Sequence, residues 1–157
     1  MTARHFVDTN VLVYARDNAE PAKQRAALAW LEFLWRERAG RISMQVLSEF
    51  YVCVTAKLRP GLPPAQAWHD VEDLLVWDPL SLNRAVLERA FHVQNEFKFA
   101  WWDALIVAAA QLQHCAFLLT EDMQAGQNLG GVHVINPFAV APGAATALLR
   151  RQRRARG

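Results

Sequence analysis

Four carboxylates stand at wide intervals along the chain: Asp8, Glu49, Asp103 and Asp122. Brought together by a fold, such a set holds hard divalent cations, because Mg2+ and Mn2+ take carboxylate oxygens and water as ligands. No softer site competes, since His5, His69, His92, His114 and His133 are scattered and lack zinc-ligand spacing. Each histidine reads as an ordinary surface or core residue. Four converging carboxylates repel one another, so without a cation some take up protons or the cluster loosens. Cation binding is therefore expected to stabilise the fold. One or two bound ions can activate a coordinated water against a phosphodiester and neutralise charge on its oxygens.

Taken singly, each acid has an ordinary structural explanation. Asp8 follows the apolar run His5-Phe6-Val7, where it reads equally as a helix cap. Asp103 precedes a strongly apolar helical stretch and is favoured there by the helix dipole. Asp122, alone, is a turn residue, and Glu121 beside it reads as an exposed turn residue or as a carboxylate reaching a metal through water. Glu49 resists this treatment, because Val46, Leu47, Phe50 and Val52 surround it on an apolar helix. An unpaired carboxylate buried there costs several kcal/mol, which implies a partner cation.

The elements that would position these acids alternate between strand and helix. His5–Val7 reads as a strand, after which Thr9 or Asn10 caps a helix through Tyr14. Pro21 opens an amphipathic helix that carries Ala27, Leu28, Leu31, Leu34 and Trp35 and ends near Gly40. Arg41–Ser43 is a minimal strand, and Ser43 caps a helix to Lys57 that includes Glu49. The proline-rich break at 59–64 starts a helix with Trp68, Val71, Leu74 and Leu75 on its stripe, and a short strand is expected from Trp77 to Leu82. Asn83 caps a helix to about Glu96, and Ala104–Ala110 is apolar nearly all round, as a central helix would be. Ala116–Leu119 and Val132–Ile135 read as buried strands. This order predicts an α/β fold, a three-layer α/β/α sandwich around a mostly parallel sheet. Asp8 and Asp122 then fall beyond the carboxyl ends of strands, where such sheets bind ligands at the reversal of strand order.

The chain has 157 residues, 53% of them apolar, enough for one domain with a substantial core. No apolar stretch reaches the roughly 18 residues of a membrane span, and the N-terminus does not read as a signal peptide, so a soluble cytoplasmic protein is expected. Cys53 and Cys115 lack metal-ligand spacing and read as small buried hydrophobes rather than a disulfide. Five of the seventeen basic residues fall in the last eight positions, Arg150, Arg151, Arg153, Arg154 and Arg156. The body then carries 12 basic and 15 acidic residues, a formal charge of −3. A single domain over residues 1–140 followed by a basic, partly disordered tail at 141–157 is the expected organisation. That tail, with Arg16 and Lys98, is a candidate for phosphate contacts, or it is simply a solvated extension. Phe97, Phe99, Trp101 and Trp102 are candidates for base stacking, with core or subunit interface the commoner role of such a cluster.

The flanking motifs give the acids an order. DTNVLVYA at 8–15, VLSEF at 46–50, WWDALIVAAA at 101–110, and LLTEDMQAGQ with GGVHVINPF between 118 and 138 together resemble the PIN-domain nucleases, especially bacterial toxins of the VapC type. The resemblance spans residues 4 to 138. It implies that Asp8, Glu49, Asp103 and Asp122 are the metal-binding acids, supported by Thr9, Asn10 and Thr120. It further implies a Mg2+- or Mn2+-dependent ribonuclease, an RNA substrate such as tRNA or rRNA, a cognate antitoxin and a homodimer.

Two other readings remain open at this level. A Mg2+-dependent phosphatase or phosphotransferase would also place an aspartate nucleophile after its first strand, although Asn10 two residues on is unlike that pattern. A non-catalytic module binding RNA or protein would have no need of the complete acidic set.

Overall fold

The computed structural model describes residues 2–155 and 157. Its centre is a five-stranded sheet in the order β2-β1-β3-β5-β4. The strands are β1 (His5–Val7), β2 (Gly40–Arg41), β3 (Phe117–Leu119), β4 (Asn128–Leu129) and β5 (Val132–Ile135). Strand β1 pairs in parallel with β2 and β3, and β3 with β5; only β4 runs antiparallel, against β5. The expected α/β sandwich with a mostly parallel sheet is the fold observed. Burial on both faces explains why β1 and β3 read as unbroken apolar runs rather than alternating ones: every residue of both is buried.

The chain order runs outward from β1 to β2 and then returns to β3 on the other side of β1. The direction of winding therefore reverses between β1 and β3, which opens a crevice beyond their carboxyl ends.

Helices α1 (Thr9–Tyr14), α2 (Pro21–Glu37), α3 (Met44–Val52), α4 (Pro64–Leu74), α5 (Arg84–Phe97) and α6 (Trp101–Leu112) cover the sheet. Prolines begin α2 and α4, where a missing N–H costs nothing. Ser43 and Asn83 cap α3 and α5 by accepting from Val46 N at 3.3 Å and Val86 N at 3.1 Å. Helix α3 continues through a π-turn at Cys53–Lys57, as far as the sequence pattern reaches. Helix α6 is buried from Ala104 to Ala110 and packs on β3 and β5, the central position expected of an all-apolar helix.

Several expectations are corrected. The cap of α1 is Asp8, not Thr9 or Asn10. The stripe of α2 divides: Ala27, Trp30 and Leu34 face the core, whereas Leu28 and Trp35 are exposed. Helix α4 buries Ala67, Val71 and Leu74 and leaves Trp68 exposed. No strand forms over Trp77–Leu82; a 3-10 turn at Leu75–Trp77 ends in left-handed Asp78, and the one sheet-like contact is a bridge from Leu80 to Ser43. The reason is tertiary, because Trp77 turns inward over Gly40, where any β-carbon would overlap its indole. Strand β4 is an addition to the expected set; Gly130 and Gly131, both at positive φ, form the tight turn that joins it to β5.

Cys115 is buried and Cys53 half-buried, both as free thiols, and burial pushes the Cys115 thiol up to about 12. No helix among the described residues is long and apolar enough to cross a membrane. The basic stretch carries helix α7 (Ala144–Ala155).

Candidate active site

The crevice between β1 and β3 is bounded by residues that the first and third strands deliver at their ends. Asp8 immediately follows β1 and is buried. One of its oxygens accepts from Thr9 N at 2.7 Å and the other from the Thr120 hydroxyl at 2.8 Å. Thr120 is itself fully buried at the end of β3, and its backbone N–H donates to Ile135 O on β5 at 3.1 Å. The strand ends and the carboxylate are thus one hydrogen-bonded unit.

Asn10 extends this unit. Its Nδ2 donates to Thr120 Oγ1 at 3.1 Å and to Asp122 Oδ2 at 3.0 Å, with a longer contact of 3.4 Å to Asp8 Oδ2. Asp122 N in turn donates to Thr120 Oγ1 at 3.1 Å. Asp122 is therefore a turn residue and also a member of the cluster, although it is exposed. The Oδ1 of Asn10 is buried with no hydrogen-bond partner among the described residues.

Glu49 enters from α3. It is half-buried, and its carboxylate is not unpaired as its apolar neighbours suggested: Thr9 Oγ1 donates to Oε2 at 2.8 Å and Gln45 Nε2 to Oε1 at 2.9 Å. Burial alone thus does not require a cation at Glu49. Asp103 lies in the first turn of α6, where Ala100 is the capping position, so its side chain is not a cap. It stands near enough to Asp122 and Glu49 for both to act on its titration.

Electrostatics reflect this crowding. Asp8 is pushed up to about 6, mainly by burial, with Asp122 and Glu49 adding repulsion and the bonds from Thr120 and Thr9 N opposing it. Asp103 is raised by burial, then by Asp122 and Glu49. All seven residues singled out from sequence, four acids and Thr9, Asn10 and Thr120, belong to one connected neighbourhood. The acids are nevertheless held apart: among the described residues no three histidine, cysteine, aspartate or glutamate side chains form a ready coordination shell. Mutual repulsion and the separate hydrogen bonds of Asp8 and Glu49 account for that spacing.

Two residues escaped sequence reasoning. Gln45 precedes Glu49 by four positions, so helical spacing puts both on one face, and its Nε2 also reaches Trp102 O on α6 at 3.4 Å. Lys23 has no comparable local signal. It pairs with Glu121 at 2.7 Å, contacts the Tyr14 hydroxyl at 3.2 Å, and lies 4.6 Å and 5.4 Å from the ring centres of Tyr14 and Phe138. Glu121 is thereby committed to an ion pair.

Of the candidate phosphate contacts, Arg16 is engaged by Asp70 through two bonds, at 2.7 Å and 2.5 Å. Lys98 is an exposed left-handed residue ending α5. Phe97, Phe99 and Trp101 pack partly against the core, and Trp102 is exposed at the start of α6. Away from the crevice, an open groove of about 870 Å³ lies between α2 and α4, lined by Leu28, Leu31, Trp35, Phe50 and Val76 with the Arg16–Asp70 pair beside them.

A mostly parallel α/β sheet with carboxylates gathered at its strand-order reversal defines a class of proteins whose site is built from acids rather than histidines or thiols. Within that class the PIN domain family model matches residues 5–126, and the chain belongs to the PIN domain family, whose members are generally nucleases. A chain of a toxin-antitoxin complex from Klebsiella pneumoniae has a similar fold, with a TM-score of 0.54 at 22% identity over 85% of this chain and 97% of that one. No curated protein matches the chain in sequence.

Proposed function

We propose that this chain is a divalent-metal-dependent endoribonuclease and the toxin of a bacterial toxin-antitoxin pair. The observation that carries the reading is the network joining Asp8, Thr120, Asn10 and Asp122 across the ends of β1 and β3, with Glu49 tied to it through Thr9. The donor set suits Mg2+ or Mn2+: oxygen ligands only, a buried aspartate driven toward protonation, and a buried Asn10 oxygen without a partner. Asp8, Glu49, Asp103 and Asp122 would hold the ion, which would supply Lewis acidity and charge neutralisation at a phosphodiester.

The remaining work falls to the chain's own groups. Thr9 and Gln45 fix the Glu49 carboxylate from both oxygens, and Thr120 fixes Asp8, so the acids meet substrate in a set orientation. Hydrolysis breaks the bond to the 3′-oxygen and leaves a 5′-phosphate and a 3′-hydroxyl. Incubation of purified protein with labelled tRNA and rRNA, with Mn2+ or with EDTA, should give cleavage only with the metal. Asp8→Asn should abolish it, and cleavage that survives this change would overturn the mechanism. Release of phosphate from a small phosphomonoester with RNA left intact would favour the phosphatase reading instead.

The antitoxin proposal draws support from the similar chain's membership of a toxin-antitoxin complex. The groove between α2 and α4, where Leu28 and Trp35 are exposed, offers room for a partner segment. A homodimer is supported by Leu82, Leu87 and Phe91, exposed along and beside α5. Phe91→Glu, measured by sedimentation, should yield a monomer if that stripe is the dimer face. The free thiols fit a reducing, cytoplasmic setting.

A further inference from the structure

At the end of the sheet opposite the acids, three arginines surround an open cavity of about 740 Å³. Arg4 immediately precedes β1, Arg38 ends α2, and Arg41 lies in β2. Asp8 follows β1 at its other end, about 13 Å away along an extended strand. The Trp77 indole and the Trp35 ring line the same cavity, their centres 5.1 Å apart, and Asp78 is its one acidic lining residue.

The guanidinium groups are positioned but not neutralised. Arg4 donates to Gln113 O at 2.9 Å, and Arg41 to Gly40 O at 2.7 Å and Arg38 O at 3.4 Å. These bonds use one terminal nitrogen of each and leave the others open. Arg38, in left-handed conformation at φ 53°, caps α2 with its backbone N–H, and its guanidinium donates to no group among the described residues. No carboxylate among them comes within ion-pair distance of any of the three. Three like charges around one cavity repel, and a bound anion relieves that repulsion. Guanidinium groups match phosphate oxygens with paired N–H donors.

We propose that this cavity is a phosphate-binding subsite for single-stranded RNA, with Trp35 as a stacking surface for an adjoining base. The inference rests on the ribonuclease reading above. RNA is favoured over an acidic peptide because the cavity combines arginines with a 40% exposed indole, the pairing that single-stranded nucleic acid uses and a carboxylate does not need. It also gives a body of net negative charge a place to retain a polyanion away from its acidic centre.

The test is fluorescence anisotropy of an unstructured labelled oligoribonucleotide across a salt series in EDTA, comparing the parent with Arg38→Gln, Arg41→Gln and the double variant. The double variant should bind at least about tenfold weaker, and its salt slope should fall by about 1.4, since each single-strand phosphate that is no longer neutralised removes about 0.7. Arg41→Lys should recover part of the loss. Arg38→Gln removes no internal bond, so it carries the test if Arg41 variants fold poorly. In a cleavage assay the variants should raise KM and leave kcat unchanged. Equal affinity and equal slope in parent and double variant would overturn the subsite while leaving the ribonuclease reading intact. A parent that binds no RNA at any salt would likewise overturn the subsite, while the ribonuclease reading stands or falls separately on cleavage with Mn2+. Labelled polyglutamate provides the second arm: loss of its binding in the variants, with RNA binding unaffected, would assign the cavity to an acidic protein and overturn the proposal.

Discussion

The Thr120 hydroxyl donates to Asp8 Oδ2 at 2.8 Å, and both groups are buried, so the end of β3 holds the carboxylate at the end of β1. The same hydroxyl oxygen accepts from Asn10 Nδ2 and Asp122 N. Thr120→Val keeps the shape and removes all three bonds. Loss of a buried bond to a carboxylate costs about 2 kcal/mol, and Asp8 loses the main bond that opposes its protonation. Thermal denaturation should show the loss of stability, and RNA cleavage should fall about tenfold, the lower range for removing a support behind a metal ligand. Unchanged cleavage with unchanged melting would mean the bond is incidental.

Acid and base titration offer a second prediction. In the metal-free protein Asp8 is raised to about 6 from 3.8, so it takes up a proton in the folded state before it does in the unfolded chain. Its contribution to stability is full below the unfolded value and is lost as pH rises through about 6. Buried His5 runs the other way, lowered to about 4 from 6.5, and it removes stability as pH falls across that interval. Each effect is on the order of 3 kcal/mol and they largely cancel. Asp8→Asn leaves only His5. In EDTA the variant should be more stable than the parent near neutrality and should lose that stability steadily from pH 6.5 toward 4, while the parent stays nearly level. Chemical denaturation at several pH values reads this directly, and parallel pH profiles for the two proteins would refute it.

Much of this arrangement was legible because the signals are local. The apolar runs that become β1 and β3 end in Asp8 and in Thr120-Glu121-Asp122, and Pro21, Ser43, Pro64 and Asn83 mark helix starts through their own backbone chemistry. What failed depended on distant partners. Trp77 looked like the start of a strand, and only its packing on Gly40 makes it a turn. Glu49 looked unpaired because Thr9, forty residues earlier, supplies its donor. Arg16 looked free because Asp70 lies fifty-four residues on.

Gly40 makes the point testable. It is a buried strand residue at an ordinary extended position, so conformational freedom is not why glycine is there; a β-carbon would overlap three atoms of the Trp77 indole ring. Gly40→Ala must displace that ring or shift β2, and overpacking of this kind costs about 1–3 kcal/mol. Melting should drop accordingly. Gly40→Ala combined with Trp77→Leu should recover part of the loss, and strictly additive losses in the pair would show that the two positions do not compete for space.

Gln45 gives the last prediction, because it touches Glu49 and α6 at once. Its Nε2 donates to Glu49 Oε1 at 2.9 Å and approaches Trp102 O, one residue before Asp103, at 3.4 Å. One amide therefore sets the orientation of one proposed ligand and the distance of its helix from that of another. Gln45→Ala leaves Glu49 with the Thr9 bond alone and lets its carboxylate swing away from Asp103. Groups standing behind metal ligands are worth about 10- to 100-fold in affinity, and the lower end applies at this half-exposed position. Calorimetric titration with Mn2+ should show about tenfold weaker binding, while the fold, read by far-ultraviolet dichroism, stays intact. Mn2+ affinity equal to the parent's would remove Gln45 from the site, and Mn2+ binding absent from the parent itself would instead remove the metal-holding role of the four acids.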